Sequence, residues 1–172
     1  TTVIYTLSLR HALPIFFRQA LELTPAGDPD RPGHLNNLGN GLRDLFAHTG
    51  DLATLQEAIQ SYRQACQEGA LINPEIALTS SRNWCRWAFG RAAWAEVVEA
   101  YASYAQPVLT RLVATQVNRS AQESWLKEAQ GLPVLAAYSL AQSGNLAEAV
   151  VTLENGRAML LAQALQQNRR DL

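Results

Sequence analysis

Catalysis or metal binding in this chain would have to be built from two cysteines, three histidines and fifteen acidic residues. A nucleophilic Cys66 or Cys85 would need a neighbouring base to form its thiolate and donors for the oxyanion that follows. Both fall in apolar stripes of helical spacing, where Cys is a small buried hydrophobe, and they form no Cys-x-x-Cys pair. His34 and His48 stand fourteen residues apart, with no HExxH and no Cys/His ligand spacing, so no metal is expected. Gly39-Asn40-Gly41 invites comparison with a phosphate-cradling loop. That loop needs a preceding strand and a fingerprint glycine, and close helix packing accounts better for Gly39. Glu96, Glu99, Glu123, Glu128, Glu148 and Glu154 are spread over several helical segments and form no acid–base pair. Trp84, Trp87, Trp94 and Trp125 lie at helical spacing, as core anchors do. No catalytic residue and no cofactor is expected, and the chain is not expected to be an enzyme.

One polar constellation stands out. Asn36, Asn37, Asn40, Arg43 and Asp44 fall at i, i+1, i+4, i+7 and i+8, which places most of them on one helix face beside a leucine stripe. Asn is a weak helix former, so three of them on one helix have a small stability cost that calls for a reason. A carboxamide donates to a peptide carbonyl and accepts from a peptide N–H at once, and Arg adds a fork suited to a carboxylate. By helix position, Arg82, Asn83 and Arg86 continue the same face in the next unit. The bland alternative is a solvated face, or hydrogen bonding between repeats.

The elements that must position these residues are helices. Phe17-Arg18-Gln19-Ala20 recurs 45 residues later as Tyr62-Arg63-Gln64-Ala65, each closing an amphipathic helix. The connector 24–33 holds three prolines and two glycines, and Asp30 is placed to cap the helix that follows. That helix carries Leu35, Leu38, Leu42, Leu45 and Phe46 and stops at Gly50. The next starts at Asp51 or Thr54, with Thr54 and Glu57 spaced as a capping box, and buries Leu55, Ala58, Ile59, Tyr62 and Ala65. Asn73-Pro74 opens a helix that ends at a Gly90-Arg91 turn. A helix over about 92–115 follows, kinked at Pro107. Another starts at a Ser120/Glu123 box, bends at Gly131 and Pro133, and ends at Ser143-Gly144; the last covers about 146–168. No segment alternates with period two, so the fold is expected to be all-α, with about six to seven helices.

Composition sets the outer bounds. A chain 48% hydrophobic and 17% charged is long enough to bury a core, and its abundant Ala and Leu favour closely packed helices. A net charge of −1 provides no field for nucleic acid or acidic membranes. No apolar run reaches the roughly 18–20 residues that span a bilayer. With only two cysteines and no signal-peptide pattern, a reduced cytoplasmic setting is expected. The run from Thr6 to Ile15 closely resembles the translation of a widely used sequencing adapter, differing only at Arg10 and His11. Residues 1–15 are therefore set apart as a read-through artefact, with the native protein extending upstream; the alternative is a genuine apolar helix start. The remaining organisation is an extended repeat over 16–68 and a divergent helical region over 69–172.

The motifs resemble a family. Ala58-x-x-x-Tyr62-x-x-Ala65 is similar to the second-helix pattern of the tetratricopeptide repeat (TPR), and Leu38-Gly39 to its first-helix Leu-Gly pair. The longer unit, with Leu-Asn-Asn-Leu-Gly and Thr-Gly-Asp-Leu, resembles the TPR arrays that precede CHAT domains, the caspase-like peptidase modules. Arg82-Asn83-Trp84 to Trp87-Ala88, Glu99-Ala100-Tyr101, Trp125 to Gly131, Leu153 to Leu161 and Arg170-Asp171-Leu172 are similar to the region just before that peptidase. The resemblance implies an α-solenoid of helical hairpins whose first helices line a concave groove, gripping a protein or peptide ligand. It also implies a downstream peptidase domain in cis, beyond Leu172, whose His/Cys pair has no counterpart here. The rival reading is a structural or self-association module without a ligand groove, which an exposed apolar patch on the last helix would favour.

Overall fold

A computed structural model describes the backbone of residues 2–115 and 118–170 and the side chains of 12–115, 118 and 120–159. Among these residues the chain is all-helical, with no strand. It divides into two compact units, Thr1–Asn83 and Trp84–Leu172.

In the first unit, α1 (Thr2–Leu23), α2 (Arg31–Thr49) and α3 (Leu52–Ile72) are followed by the start of α4 (Pro74–Gly90). Helix α1 runs through the segment the sequence sets apart at 1–15, and its Pro14 is buried, close to Gly41 of α2. Gly50 ends α2 in the left-handed conformation (φ 65°), its N–H donating to the Phe46 carbonyl across 2.8 Å. Asp51 caps α3, its carboxylate accepting from the Thr54 N–H at 2.8 Å and the Thr54 hydroxyl at 2.6 Å. These bonds hold the Asp51 carboxyl below the ordinary carboxylate range. Thr54 is thus inside the helix, and Glu57 forms a two-pronged ion pair with Arg18 of α1 at 2.7 Å instead of closing a capping box. Asp30 makes no side-chain cap either. Asp28 instead shapes the connector before the helix, its carboxylate accepting from the Asp30 N–H at 2.9 Å in an Asx turn. Arg31 then fastens the connector: its guanidinium donates to the Leu21 and Thr24 carbonyls at the end of α1 and touches the Glu68 carboxylate of α3 at 3.3 Å.

The α2–α3 pair packs through a glycine. A Cβ on Gly39 would lie 3.0–3.1 Å from the ring of Tyr62, which is fully buried along with Leu42, Ala58 and Ala65. Gly69 and Ala77 make an equally tight approach between α3 and α4, where an added Cβ would come within 3.0 Å of the Ala77 backbone N.

In the second unit the sequence expects two long helices, and each is divided. The 92–115 stretch becomes α5 (Trp94–Glu99), a π-helical turn (Ala100–Ala105) and α6 (Gln106–Thr115). The Gln106 N–H reaches back five residues to the Tyr101 carbonyl, and the turn ends one residue short of the proline-bearing step. Pro107 has no N–H and its ring crowds the carbonyl four residues earlier, so the expected kink takes the form of a widened turn. The 120–142 stretch becomes α7 (Arg119–Glu128) and α8 (Leu132–Gln142), broken at Gly131 (φ 85°). Asn118 caps α7 by accepting from the Ser120 and Ala121 N–H groups, so Ser120 is already helical. Helix α9 (Leu146–Arg170) follows a turn in which Gly144 donates to Ala141 and Asn145 to Leu140, the paired pattern of a Schellman motif. Ala137, Leu140 and Ala149 are buried between α8 and α9, with Val98 and Leu153 against them.

The same Schellman pattern ends α4: Ala92 donates to Phe89, and Ala93 to Ala88. Here the left-handed residue is Ala92 (φ 55°), not Gly90 or Arg91, where the sequence places the turn.

Two stability outcomes follow, each measured by urea unfolding. Gly39→Ala destabilises by about 1–3 kcal/mol because the fully buried Tyr62 ring would have to shift. Gly33→Ala, whose Cβ meets nothing within 4 Å, is neutral or stabilising by up to about 1 kcal/mol. Equal effects at the two positions would refute the close crossing. Ala92→Gly stabilises by roughly 1 kcal/mol, since glycine adopts the left-handed conformation without the Cβ penalty; a loss of stability would place the left-handed residue elsewhere.

Candidate functional site

Cys66 and Cys85 are fully buried free thiols, whose S–H groups face the Ala77 and Val97 carbonyls at 4.0 and 3.9 Å. Burial pushes the Cys85 thiol up to about 12, far from thiolate chemistry. His48 lies against the Asp44 carbonyl at 2.8 Å, at the end of α2. Among the described residues no three His, Cys, Asp or Glu side chains gather as a metal site would. Glu96 accepts from Trp84 Nε1 at 2.9 Å and pairs with Arg91 at 2.7 Å, and the Arg91 guanidinium sits 4.0 Å over the Trp87 ring. This cluster ties α4 to α5 across the Ala92 turn. Trp94, Phe89 and Tyr138 meet edge to face at 5.5–5.7 Å, each filling the space beside the others.

The polar face of α2 divides into two sets. Asn36 is buried, and its carbonyl oxygen accepts from the Asn83 carboxamide of α4 at 3.2 Å. Asn40 is half-buried, its oxygen accepting from the Tyr62 hydroxyl at 2.7 Å and lying 3.5 Å from the Arg43 guanidinium. Burial holds the Tyr62 phenol well above its ordinary range, against the lowering effect of Arg43, so it remains a protonated donor. These residues join helices inside the first unit.

The second set faces outward. Asn37 and Asp44 are exposed and Arg43 is half-buried, its Nε and Nη2 donating to Asp44 at 3.0 and 2.9 Å. An exposed pair of this kind rearranges with little loss. Arg82 is half-buried in the first unit; Arg86 is exposed and belongs to the second. Asn36 therefore pairs with Asn83 and Asn40 with Tyr62 inside the unit, Asn37 and Asp44 lie on the accessible stretch of α2, and Arg43 stands between the two sets.

The residue missed by sequence reasoning is the hydroxyl of Tyr62. Its signal is in the repeat itself: Phe17 occupies the matching position of the upstream block, so the phenol oxygen is an addition that packing alone does not require. No family model, characterised protein or solved structure matches the chain.

Tyr62→Phe and Asn40→Ala should each lower stability by about 0.5–1.5 kcal/mol. In a double-mutant cycle their coupling should exceed about 0.5 kcal/mol. Strictly additive effects would mean the hydroxyl does not hold Asn40.

Proposed function

We propose that this chain is a protein–protein interaction scaffold, a TPR-type segment whose α2 face receives an extended stretch of a partner protein. We further propose that it serves as the regulatory arm of a CHAT peptidase-like protein. The observation that supports the reading is Gly39 under the Tyr62 ring. It brings the Leu38-Gly39 pair of one helix against the Ala58/Tyr62/Ala65 pattern of the next, the two halves on which the resemblance rests. On this reading Asn37 pairs with a peptide unit through both halves of its carboxamide. Arg43 turns from Asp44 to a carboxylate of the ligand, and Asp44 accepts from a peptide N–H. Asn36 and Asn40 hold the helix that carries them.

A second reading, self-association without a ligand groove, is favoured by the start of α9, where Leu146, Val150 and Val151 are 66%, 62% and 57% exposed. Apolar side chains at that spacing form one stripe suited to another helix.

Sequencing the intact open reading frame across both ends tests the regulatory arm. Further 45-residue repeats upstream and a His/Cys peptidase domain after Leu172 support it; their absence removes the peptidase link. Panning the chain against a displayed library of random peptides tests the face. Asn37→Ala should weaken the selected peptides by about tenfold without moving the unfolding midpoint appreciably, while Arg43→Ala should weaken them with some loss of stability, because Arg43 also contacts Asn40 and Tyr62. Unchanged affinity would move the binding surface off α2. A dimer in sedimentation velocity that Val150→Glu disperses would favour the second reading.

A further inference from the structure

The second unit contains a cavity of about 190 Å³ that serves neither the α2 face nor the packing of the helix pairs. It lies where three pieces of chain meet: the π-helical turn and the start of α6, the break between α7 and α8, and the middle of α9. Leu109, Leu126, Leu132 and Met159 give it a largely apolar wall. Two irregularities border it. Gly131, left-handed and without a side chain, marks the break between α7 and α8. Gly156 seats α9 so closely on Pro133 that a Cβ there would lie 2.6 Å from the Pro133 Cβ. That contact sets the spacing of α8 and α9 beside the cavity.

Protein interiors hold few voids larger than a water molecule. An apolar cavity of about 150 Å³ takes a benzene ring, so a space of this size has room for a small organic molecule. The side chains with polar groups lining this one are Tyr101, Gln106, Gln130, Asn155 and Arg157: a phenol, three carboxamides and one guanidinium, with no carboxylate among the described lining. Arg157 pairs at 3.0 Å with Glu154, three residues earlier on its own helix, and both side chains are more than half exposed. Such a pair exchanges readily, and a guanidinium fork fits a carboxylate with two parallel hydrogen bonds.

We propose that this cavity binds a small carboxylic acid with an apolar body of about six to ten carbons. The body fills the leucine-lined wall and the carboxylate pairs with Arg157. The three carboxamides supply further donors to the same head group. An apolar side chain inserted by a partner protein would use the wall but not the guanidinium, which separates the two occupants experimentally.

The test is an amide-resolved NMR titration of the full chain with octanoate and indole-3-propionate, with octanamide as the neutral counterpart. Saturable shifts should cluster on residues 101–109, 126–134 and 153–159. Octanoate should bind about tenfold tighter than octanamide, and Arg157→Gln should erase that preference while leaving the melting temperature unchanged. Ala129→Leu, which extends a buried lining residue into the space, should abolish binding of all three probes. The proposal is overturned by the absence of saturable shifts, by equal affinity for octanoate and octanamide, or by octanoate binding that survives Ala129→Leu.

Discussion

The first unit depends on a missing methyl group. At Gly39 an ordinary side chain would stand about 3.0 Å from the Tyr62 ring, closer than carbon atoms pack, and α2 and α3 would have to separate. With glycine there, the ring lies directly against the α2 backbone. Its hydroxyl then reaches Asn40 on the next residue. Gly69 against Ala77 repeats the device one crossing later, and Gly156 against Pro133 uses it in the second unit. Glycine in a helix interior is a handicap of about 1 kcal/mol relative to alanine, so its use at crossing points indicates that close approach more than offsets the loss. Gly33 and Gly90, with nothing within 4 Å, have no such return.

Close approach also decides what the polar residues do. Once α2 and α3 are in contact, Asn40 is half-buried and must find a partner, because an unsatisfied carboxamide there would be costlier than any gain from packing. Tyr62 supplies it. Asn36, nearer α4, is satisfied in the same way by Asn83. Neighbouring positions on one helix thus have opposite fates: Asn36 and Asn40 specify how helices meet, while Asn37 and Asp44, rotated outward, remain accessible. Of the two explanations of the asparagine cluster, inter-helix bonding accounts for Asn36 and Asn40 and leaves Asn37 unexplained.

How much of this was legible in the sequence follows from the range of each interaction. The all-helical class, the stop at Gly50 and the opening at Asn73-Pro74 are local, set by a few adjacent residues, and could be taken directly from the chain, whereas the start of α3 was open between Asp51 and Thr54 until the Asp51 cap decided it. Leu38-Gly39 and Ala58/Tyr62/Ala65 were visible as motifs, though not the contact that joins them. The division of α7 from α8 was visible only as a bend, since Gly131 in a helical pattern signals weakness without fixing a left-handed angle. Ala92 gave no signal at all. The turn it occupies is set by the Schellman bonds to Phe89 and Ala88 and by the Arg91–Glu96–Trp84 cluster across it, all of which outweigh an alanine's preference. Which asparagines turn inward was equally hidden, because a rotation of one residue along α2 depends on the position of α4.

The contrast between the units has the same physical origin. In the first, helices of seventeen or more residues meet through glycine and alanine, and regular surfaces brought this close leave little space between them. In the second, Pro107 and Gly131 interrupt two long helices, so their surfaces no longer match along their length. The π-helical turn and the break at Gly131 both border the 190 Å³ cavity, as does the glycine crossing of α9 on Pro133. The cavity is thus bordered by two departures from regular helix geometry and by one close glycine crossing. The two units offer different surfaces: an outward polar stretch of α2 in the first and an apolar recess in the second.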